Sequence, residues 1–124
     1  MTVEGSPCAR RQESGLRTSD FDHVYRSPTR RRRSLRFMTV ARPNECGRTR
    51  WGISVKARLG SAVVRNRVRR RLREILRRAQ LRLPAGWDVV VQPRRSDVAR
   101  ADFAALSREL EVLLQATLRT EEGE

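Results

Sequence analysis

A helical pattern of apolar and polar positions runs through the middle of this chain, from residue 62 to residue 79. At about 100° per residue, the segment has one apolar side and one arginine-rich side. The apolar side carries Val64, Val68, Leu72, Ile75, Leu76 and Ala79. The opposite side carries Asn66, Arg70, Arg73 and Arg77, and one flank carries Arg67, Arg71 and Arg78. We therefore predict a helix with one face in a core and the other facing a polyanion.

Glu74 interrupts the positive charge of this predicted helix, and it is spaced to pair with Arg70 or Arg78. A charged face exposed only to water is the alternative interpretation. Such a face normally mixes both signs, because like charges at i,i+3 and i,i+4 repel one another. The excess of arginine therefore favours an anionic partner that offsets this repulsion.

A second amphipathic helix is predicted after Asp102, which can cap it. Its apolar stripe comprises Phe103, Leu106, Leu110, Leu113, Leu114 and Leu118. Runs of apolar residues bounded by turn residues predict strands at 35–40, 51–55 and 87–91.

The region before the first of these strands is less regular. Ser19 can cap a short helix that carries Phe21, Val24 and Tyr25 at helical spacing, and residues 30–33 are interpreted as a basic connection. The resulting order of elements predicts a small single α+β domain with helices packed on one mixed sheet. We expect a disordered N-terminal tail at 1–15, the domain at 16–118 and an acidic tail at 119–124.

Composition points to nucleic acid as the partner. Lys and Arg number 28 against 14 Asp and Glu, which gives a net charge of +14. Such a charge recruits polyanions and speeds their association. Every basic residue except Lys56 is arginine, whose planar fork suits phosphate and whose flat face stacks on bases. A GC-rich genome would explain much of the preference for arginine, but not the net charge.

Cysteine usage and hydropathy bear on the location of the protein. Cys8 and Cys46 are far apart and belong to no CxxC pair, so neither a disulfide framework nor a zinc site is expected. We find no apolar run long enough to span a membrane and no apolar stretch typical of a signal peptide. These features favour a cytoplasmic protein without a membrane partner.

Four stretches within residues 16–118 resemble the protein subunit of bacterial ribonuclease P. Residues 50–55 (RWGISV) and 60–74 (GSAVVRNRVRRRLRE) are similar to the signature of that family in order and spacing. Residues 20–26 (DFDHVYR) resemble its first helix, and residues 84–91 (PAGWDVVV) resemble its last strand. The resemblance implies an αβββαβα fold with a left-handed βαβ crossover through the arginine-rich helix, an exception to the usual handedness.

The resemblance also implies a function. A catalytic RNA subunit would remove the 5′ leader of precursor tRNA, and this chain would bind the leader and stabilise that RNA. Mg²⁺ would be held mainly by the RNA subunit, and no obligate protein partner is implied. The implied contacts to the RNA subunit are Arg65, Asn66, Arg67, Arg69, Arg70, Arg71 and Arg73. The implied contacts to the leader are Phe21, Tyr25, Lys56 and Arg58.

The implied leader contacts consist of a basic segment before Gly60 and an aromatic pair. The family usually has two adjacent lysines before the glycine, whereas this chain has Ala57 and Arg58, with Lys56 one place earlier as a candidate substitute. Phe21 and Tyr25, taken alone, are typical of core residues, and the resemblance favours stacking on leader bases instead.

The sequence predicts no catalytic residue and no metal site in the protein. Hydrolysis of a phosphodiester needs metal-binding carboxylates or paired acid and base groups. His23 is alone, and no metal-ligand spacing is found among Asp20, Asp22, Asp88, Asp97 and Asp102. A non-enzymatic RNA-binding module and a DNA-binding regulator remain as alternatives. The second fits less well, because the predicted helix offers few groups that read base edges.

Overall fold

The computed structural model describes residue 24 and residues 30–44 and 47–118. Within these residues the chain forms the strands β1 (Arg30–Arg33), β2 (Phe37–Pro43), β3 (Arg50–Ile53) and β4 (Trp87–Pro93), and the helices α1 (Ala62–Ala79) and α2 (Phe103–Leu118). Most of the predicted first helix and both predicted tails lie outside the described residues. The two amphipathic helices predicted from their apolar stripes are confirmed.

The described strands form one mixed sheet in the order β1, β2, β4, β3. Strand β2 is antiparallel to both of its neighbours, whereas β3 and β4 are parallel. Parallel neighbours need a crossover connection, and helix α1 lies in the segment that joins them. The mixed sheet and the crossover through the arginine-rich helix are therefore confirmed, and the left hand of the crossover remains an implication of the resemblance.

The interpretation of residues 30–33 as a basic connection is wrong. These residues form β1, which pairs with β2 so that Arg30 lies opposite Ala41 and Arg33 lies opposite Met38. Four consecutive arginines show no alternation of apolar and polar residues, so pairing with β2 alone reveals the strand. The predicted start of the next strand is also shifted, because the Ser34 N–H donates to the Phe37 carbonyl and leaves Leu35 exposed in a turn.

Both helices cover the same face of the sheet. The buried residues of α1 are Val68, Leu72, Ile75, Leu76 and Ala79, which agrees with the predicted apolar side. Helix α1, helix α2 and the inward residues of the sheet, such as Phe37, Val89 and Val91, form one core. Val24 packs on the opposite face against Val40 and Val90. Among the described residues, no helix has the length and apolarity that a membrane-spanning segment needs.

The start of each helix is fixed by a side chain that accepts from the backbone. Ser61 Oγ accepts a hydrogen bond from the Val64 N–H at 3.3 Å. Asp102 Oδ2, the cap predicted from the sequence, accepts one from the Ala105 N–H at 3.0 Å. Gly60 precedes α1 because of a close approach: a Cβ there would lie 3.0 Å from Val64 Cγ1.

Glu109 of α2 holds the turn between β1 and β2. Its carboxylate accepts hydrogen bonds from Ser34 Oγ at 2.5 Å, from the Arg36 N–H at 2.9 Å and from the Arg36 guanidinium at 2.8 Å. Burial acts to raise the pKa of Glu109, but these hydrogen bonds together lower it below its ordinary value. The clamp therefore fixes the edge strand β1 and its arginines relative to the rest of the sheet.

Candidate RNA-binding surfaces

The solvent side of α1 carries three arginines whose charge is not offset by any acidic side chain that the structure describes. Arg67, Arg70 and Arg73 are exposed, and in the described part of the chain none of their guanidinium groups makes a hydrogen bond or an ion pair. Exposed Asn66 lies beside them. We call these four residues the arginine face. Because none of the described carboxylates competes for these guanidinium groups, their donors are available to an anion.

The other predicted RNA contacts on α1 have partners inside the protein. Arg65 Nε donates to the Gly60 carbonyl at 3.1 Å, and Arg69 Nη1 donates to Asn66 Oδ1 at 3.2 Å. Arg71 Nη1 donates to the Val98 carbonyl at 2.8 Å, and its guanidinium lies 5.7 Å from the centre of the Phe103 ring. Arg71 therefore links α1 to the turn before α2, and its role in RNA binding stays a prediction.

Glu74 divides α1 into two electrostatically different parts. It accepts from Arg77 at 2.7 Å and from Arg78 at 2.8 Å. The predicted pairing with Arg78 is therefore confirmed, whereas the proposed alternative, Arg70, is wrong, since Arg77 takes that place. Hydrogen bonds from both arginines lower the pKa of Glu74. The uncompensated charge is thus concentrated before Glu74, on the arginine face.

A second cationic surface lies on the opposite face of the sheet. Alternate residues of β2 and β4 point away from the helices. Met38 and Gln92 are register partners on this side. They belong to a cavity of about 520 Å³, which we call the sheet cleft. Its lining residues are Arg33, Met38, Lys56, Arg58, Leu59, Gln92, Pro93, Arg94 and Ser96.

The sheet cleft brings together two of the predicted leader contacts, Arg33 from the basic run 30–33, and Arg94, which was not predicted from the sequence. Lys56 and Arg58 lie at the short 3-10 turn Ala57–Leu59. Arg33 comes from the edge strand, and Arg94, which follows β4, donates to the Ser34 carbonyl at 2.6 Å. Only the pairing of β1 with β2 reveals which of the arginines 30–33 face this cleft.

The sheet cleft is cationic throughout. Among the residues that the structure describes, its lining includes four basic side chains and no acidic one. On the same face of the sheet, the Asp88 carboxylate is held by the buried Arg50 guanidinium at 2.6 and 2.8 Å. Phe21 and Tyr25, the predicted aromatic contacts, lie outside the described residues, although Val24 between them is buried on this same face.

Comparison with known proteins identifies the family. A family model described as Ribonuclease P matches residues 10–118. The chain belongs to the ribonuclease P protein family. The ribonuclease P protein component of Halorhodospira halophila is 43% identical over 99 residues, which cover 79% of this chain and 80% of that protein. That of Roseiflexus castenholzii is 42% identical over 78 residues, which cover 63% of this chain and 64% of that protein.

The solved structures agree with this assignment. The ribonuclease P protein from Thermotoga maritima superposes with a TM-score of 0.77 at 32% identity. The match covers 89% of this chain and 100% of the Thermotoga maritima chain. The resemblance noted in the sequence is thereby confirmed. The chain is a protein component of ribonuclease P, a ribonucleoprotein endoribonuclease that contains an RNA subunit and acts in the 5′ processing of tRNA.

The acidic side chains near the cationic surfaces are engaged with other groups of the protein. Glu74, Asp88, Glu109 and Glu111 each accept from arginine, and Asp102 caps α2. Within the described residues, no three His, Cys, Asp or Glu side chains lie close enough to hold a metal ion together. The carboxylates that the structure describes therefore do not fit a protein-held Mg²⁺ in ribonuclease P.

Proposed function

We propose that this chain assists the catalytic RNA of ribonuclease P by two separate contacts: the arginine face binds the RNA subunit, and the sheet cleft binds the 5′ leader of precursor tRNA. The observation that carries this proposal is the placement of two cationic surfaces on opposite sides of one sheet. A rigid sheet between them would hold the leader at a fixed position relative to the RNA subunit.

The arginine face suits the phosphates of a folded RNA. Arg67, Arg70 and Arg73 are spaced by one turn of a helix, and no carboxylate of the described residues competes for them. Arginine presents a planar fork that matches phosphate oxygens. Neutralised phosphates release counterions, so binding by this face depends on salt. The same positive charge lowers the repulsion between two RNA molecules, the RNA subunit and its substrate.

The sheet cleft suits a single strand. Its cationic residues surround a floor that includes Met38 and Gln92, and this combination accepts a phosphate backbone without reading base edges. Tyr25 and Phe21 remain our candidates for stacking on leader bases, which is tolerant of sequence. That tolerance is necessary for a protein whose substrates carry different leaders.

Mg²⁺ is proposed to be held by the RNA subunit, since the described carboxylates already have protein partners. The protein then contributes no catalytic residue, and its side chains bind and orient RNA. We also propose a cytoplasmic location, where precursor tRNA is available.

Changing Arg58 in the sheet cleft should reduce the benefit of a longer leader. In the Arg58→Ala holoenzyme, we expect affinity for a precursor tRNA with a long leader to fall about three- to fivefold, because one exposed charge contact is lost. Affinity for mature tRNA should not change. The measurement is holoenzyme affinity for precursor tRNAs with leaders of increasing length.

Arg108→Ala is the matched control, because Arg108 is an exposed arginine on α2, on the other side of the sheet. This control should keep the wild-type dependence on leader length. If affinity for precursor tRNA rises equally with leader length in wild type and in Arg58→Ala, the leader does not contact Arg58.

A further inference from the structure

A third cavity lies beside the first turns of α1. It has a volume of about 450 Å³ and adjoins the sheet cleft, with which it shares Leu59 and Ser96. Its lining residues are Leu59, Gly60, Val63, Val64, Arg67, Ser96, Ala99 and Arg100. The cavity thus lies between the two cationic surfaces described above, and the arginine face contributes Arg67 to it.

One wall of this cavity is apolar, in contrast to the arginine-rich surface of the rest of α1. Val63 is 72% exposed, although it is a large aliphatic side chain on the solvent side of a helix rich in arginine. Leu59, Val64 and Ala99 extend this apolar surface. A contact with phosphates alone would make no use of it, so the wall indicates a ligand with an apolar face.

Arg67 and Arg100 provide the polar side of the same cavity. Both are exposed, and within the described residues neither guanidinium group makes a hydrogen bond or an ion pair. Arg67 lies one helical turn after Val63, so the two side chains are neighbours on the helix surface. An apolar wall beside two available guanidinium groups matches a nucleobase, which has flat faces for stacking, acceptors on its edge and a phosphate attached to its sugar.

The local backbone keeps this cavity open. Gly60 lies in its lining, and a Cβ at that position would come within 3.0 Å of Val64 Cγ1. The Ser61 cap and the hydrogen bond from Arg65 Nε to the Gly60 carbonyl fix the first turn of α1 and hence the position of Val63. The cavity is therefore preformed and does not depend on a rearrangement of the helix.

We propose that this cavity receives one unpaired nucleobase of the RNA subunit, which packs against Val63 and contacts Arg67 and Arg100. The inference rests on the proposed binding of the RNA subunit by the arginine face, and adds a contact with a base to contacts with phosphates. Such a contact gives the protein a fixed register on the RNA, which phosphate contacts alone do not supply.

The test compares Val63→Ala with Leu81→Ala. Leu81 is 87% exposed and follows the other end of α1, so it matches Val63 in chemistry but not in place. Val63→Ala should weaken binding to the RNA subunit about tenfold, because the base loses its packing against two methyl groups. The slope of log affinity against log salt should not change, because no phosphate contact is lost. Leu81→Ala should bind like wild type.

Chemical probing identifies the base itself. Dimethyl sulfate methylates exposed ring nitrogens of unpaired adenine and cytosine, so the wild-type protein should protect at least one such position of the RNA subunit. Val63→Asp should remove this protection, and Leu81→Asp should retain it. Thermal melting of each free variant establishes that the fold is intact, as expected for two exposed positions.

Unchanged affinity in Val63→Ala together with unchanged protection in Val63→Asp would overturn the proposal. Arg67→Ala separates this failure from a failure of the proposed function. Weaker binding with a smaller salt slope in Arg67→Ala, combined with no effect at Val63, would leave the arginine face in place and remove only the base site. No effect at either position would contradict RNA binding by this side of α1.

Discussion

Replacing Arg67 and Arg70 together with alanine should weaken binding to the RNA subunit about a hundredfold, because hydrogen bonds to charged groups contribute about 1.5–3 kcal/mol each. Neither arginine has a partner within the described residues, so the change removes contacts to the ligand and none inside the protein. The slope of log affinity against log salt should also become less steep by about two, one for each lost phosphate contact. Titration of the RNA subunit at several salt concentrations measures both effects.

The matched control is Arg77→Ala with Arg78→Ala on the same helix. These two arginines are paired with Glu74, so their removal changes the net charge equally but leaves the arginine face intact. The control should lose much less affinity than the Arg67 and Arg70 variant. Far-UV circular dichroism should be native in both, and a loss of helix in the Arg67 and Arg70 variant would show that these arginines stabilise the fold.

Asp88→Ala should destabilise the folded chain by about 3–5 kcal/mol, the cost typical of removing one partner of a buried ion pair. Asp88 and Arg50 lie on the parallel strands β4 and β3, as register partners, and their side chains are 7% and 4% exposed. Asn44 also donates to Asp88 Oδ1 at 2.7 Å, so the change removes an acceptor from the buried Arg50 and from the half-buried Asn44. Urea unfolding followed by circular dichroism measures the free energy of unfolding.

A second variant distinguishes the charge from the packing. Arg50→Met with Asp88→Leu replaces both members by apolar side chains, and should recover most of the stability that Asp88→Ala loses. A loss below about 1 kcal/mol in Asp88→Ala, within the range of an ordinary surface pair, would mean that this ion pair does not stabilise the junction of β3 and β4.

The helices of this protein could be predicted from sequence because each carries its own period. In α1, the apolar residues from Val68 to Ala79 recur at helical spacing, and the same residues are buried in the structure. The capping roles of Ser61 and Asp102 depend on residues close in the chain. Of these two caps, only Asp102 was predicted from the sequence.

Features that depend on contacts between distant segments could not be predicted in the same way. Strand β1 consists of four arginines, and only its pairing with β2 shows that Arg33 faces the sheet cleft while Arg30 lies on the helical side, where it donates to the Thr117 carbonyl. The choice of Arg77 over Arg70 as a partner of Glu74 depends on side-chain conformation, since the spacing allows both.

The two candidate RNA-binding surfaces differ in the same way in how far the sequence predicts them. The arginine face follows from helical geometry, so the exposure of Arg67, Arg70 and Arg73 could be anticipated. The sheet cleft, in contrast, is assembled from β1, β2, the turn before α1 and the residues after β4. Resemblance to the family indicated Lys56 and Arg58, but Arg33 and Arg94 required the tertiary structure.

Cleavage of precursor tRNA by the reconstituted components separates the role of the protein from that of the RNA subunit. The protein, purified free of RNA, is incubated with precursor tRNA at low Mg²⁺, alone and together with its RNA subunit. We predict no cleavage by the protein alone, slow cleavage by the RNA alone and efficient release of the 5′ leader by the two together. Cleavage by the RNA-free protein, or an RNA subunit whose activity the protein does not increase, would contradict the account.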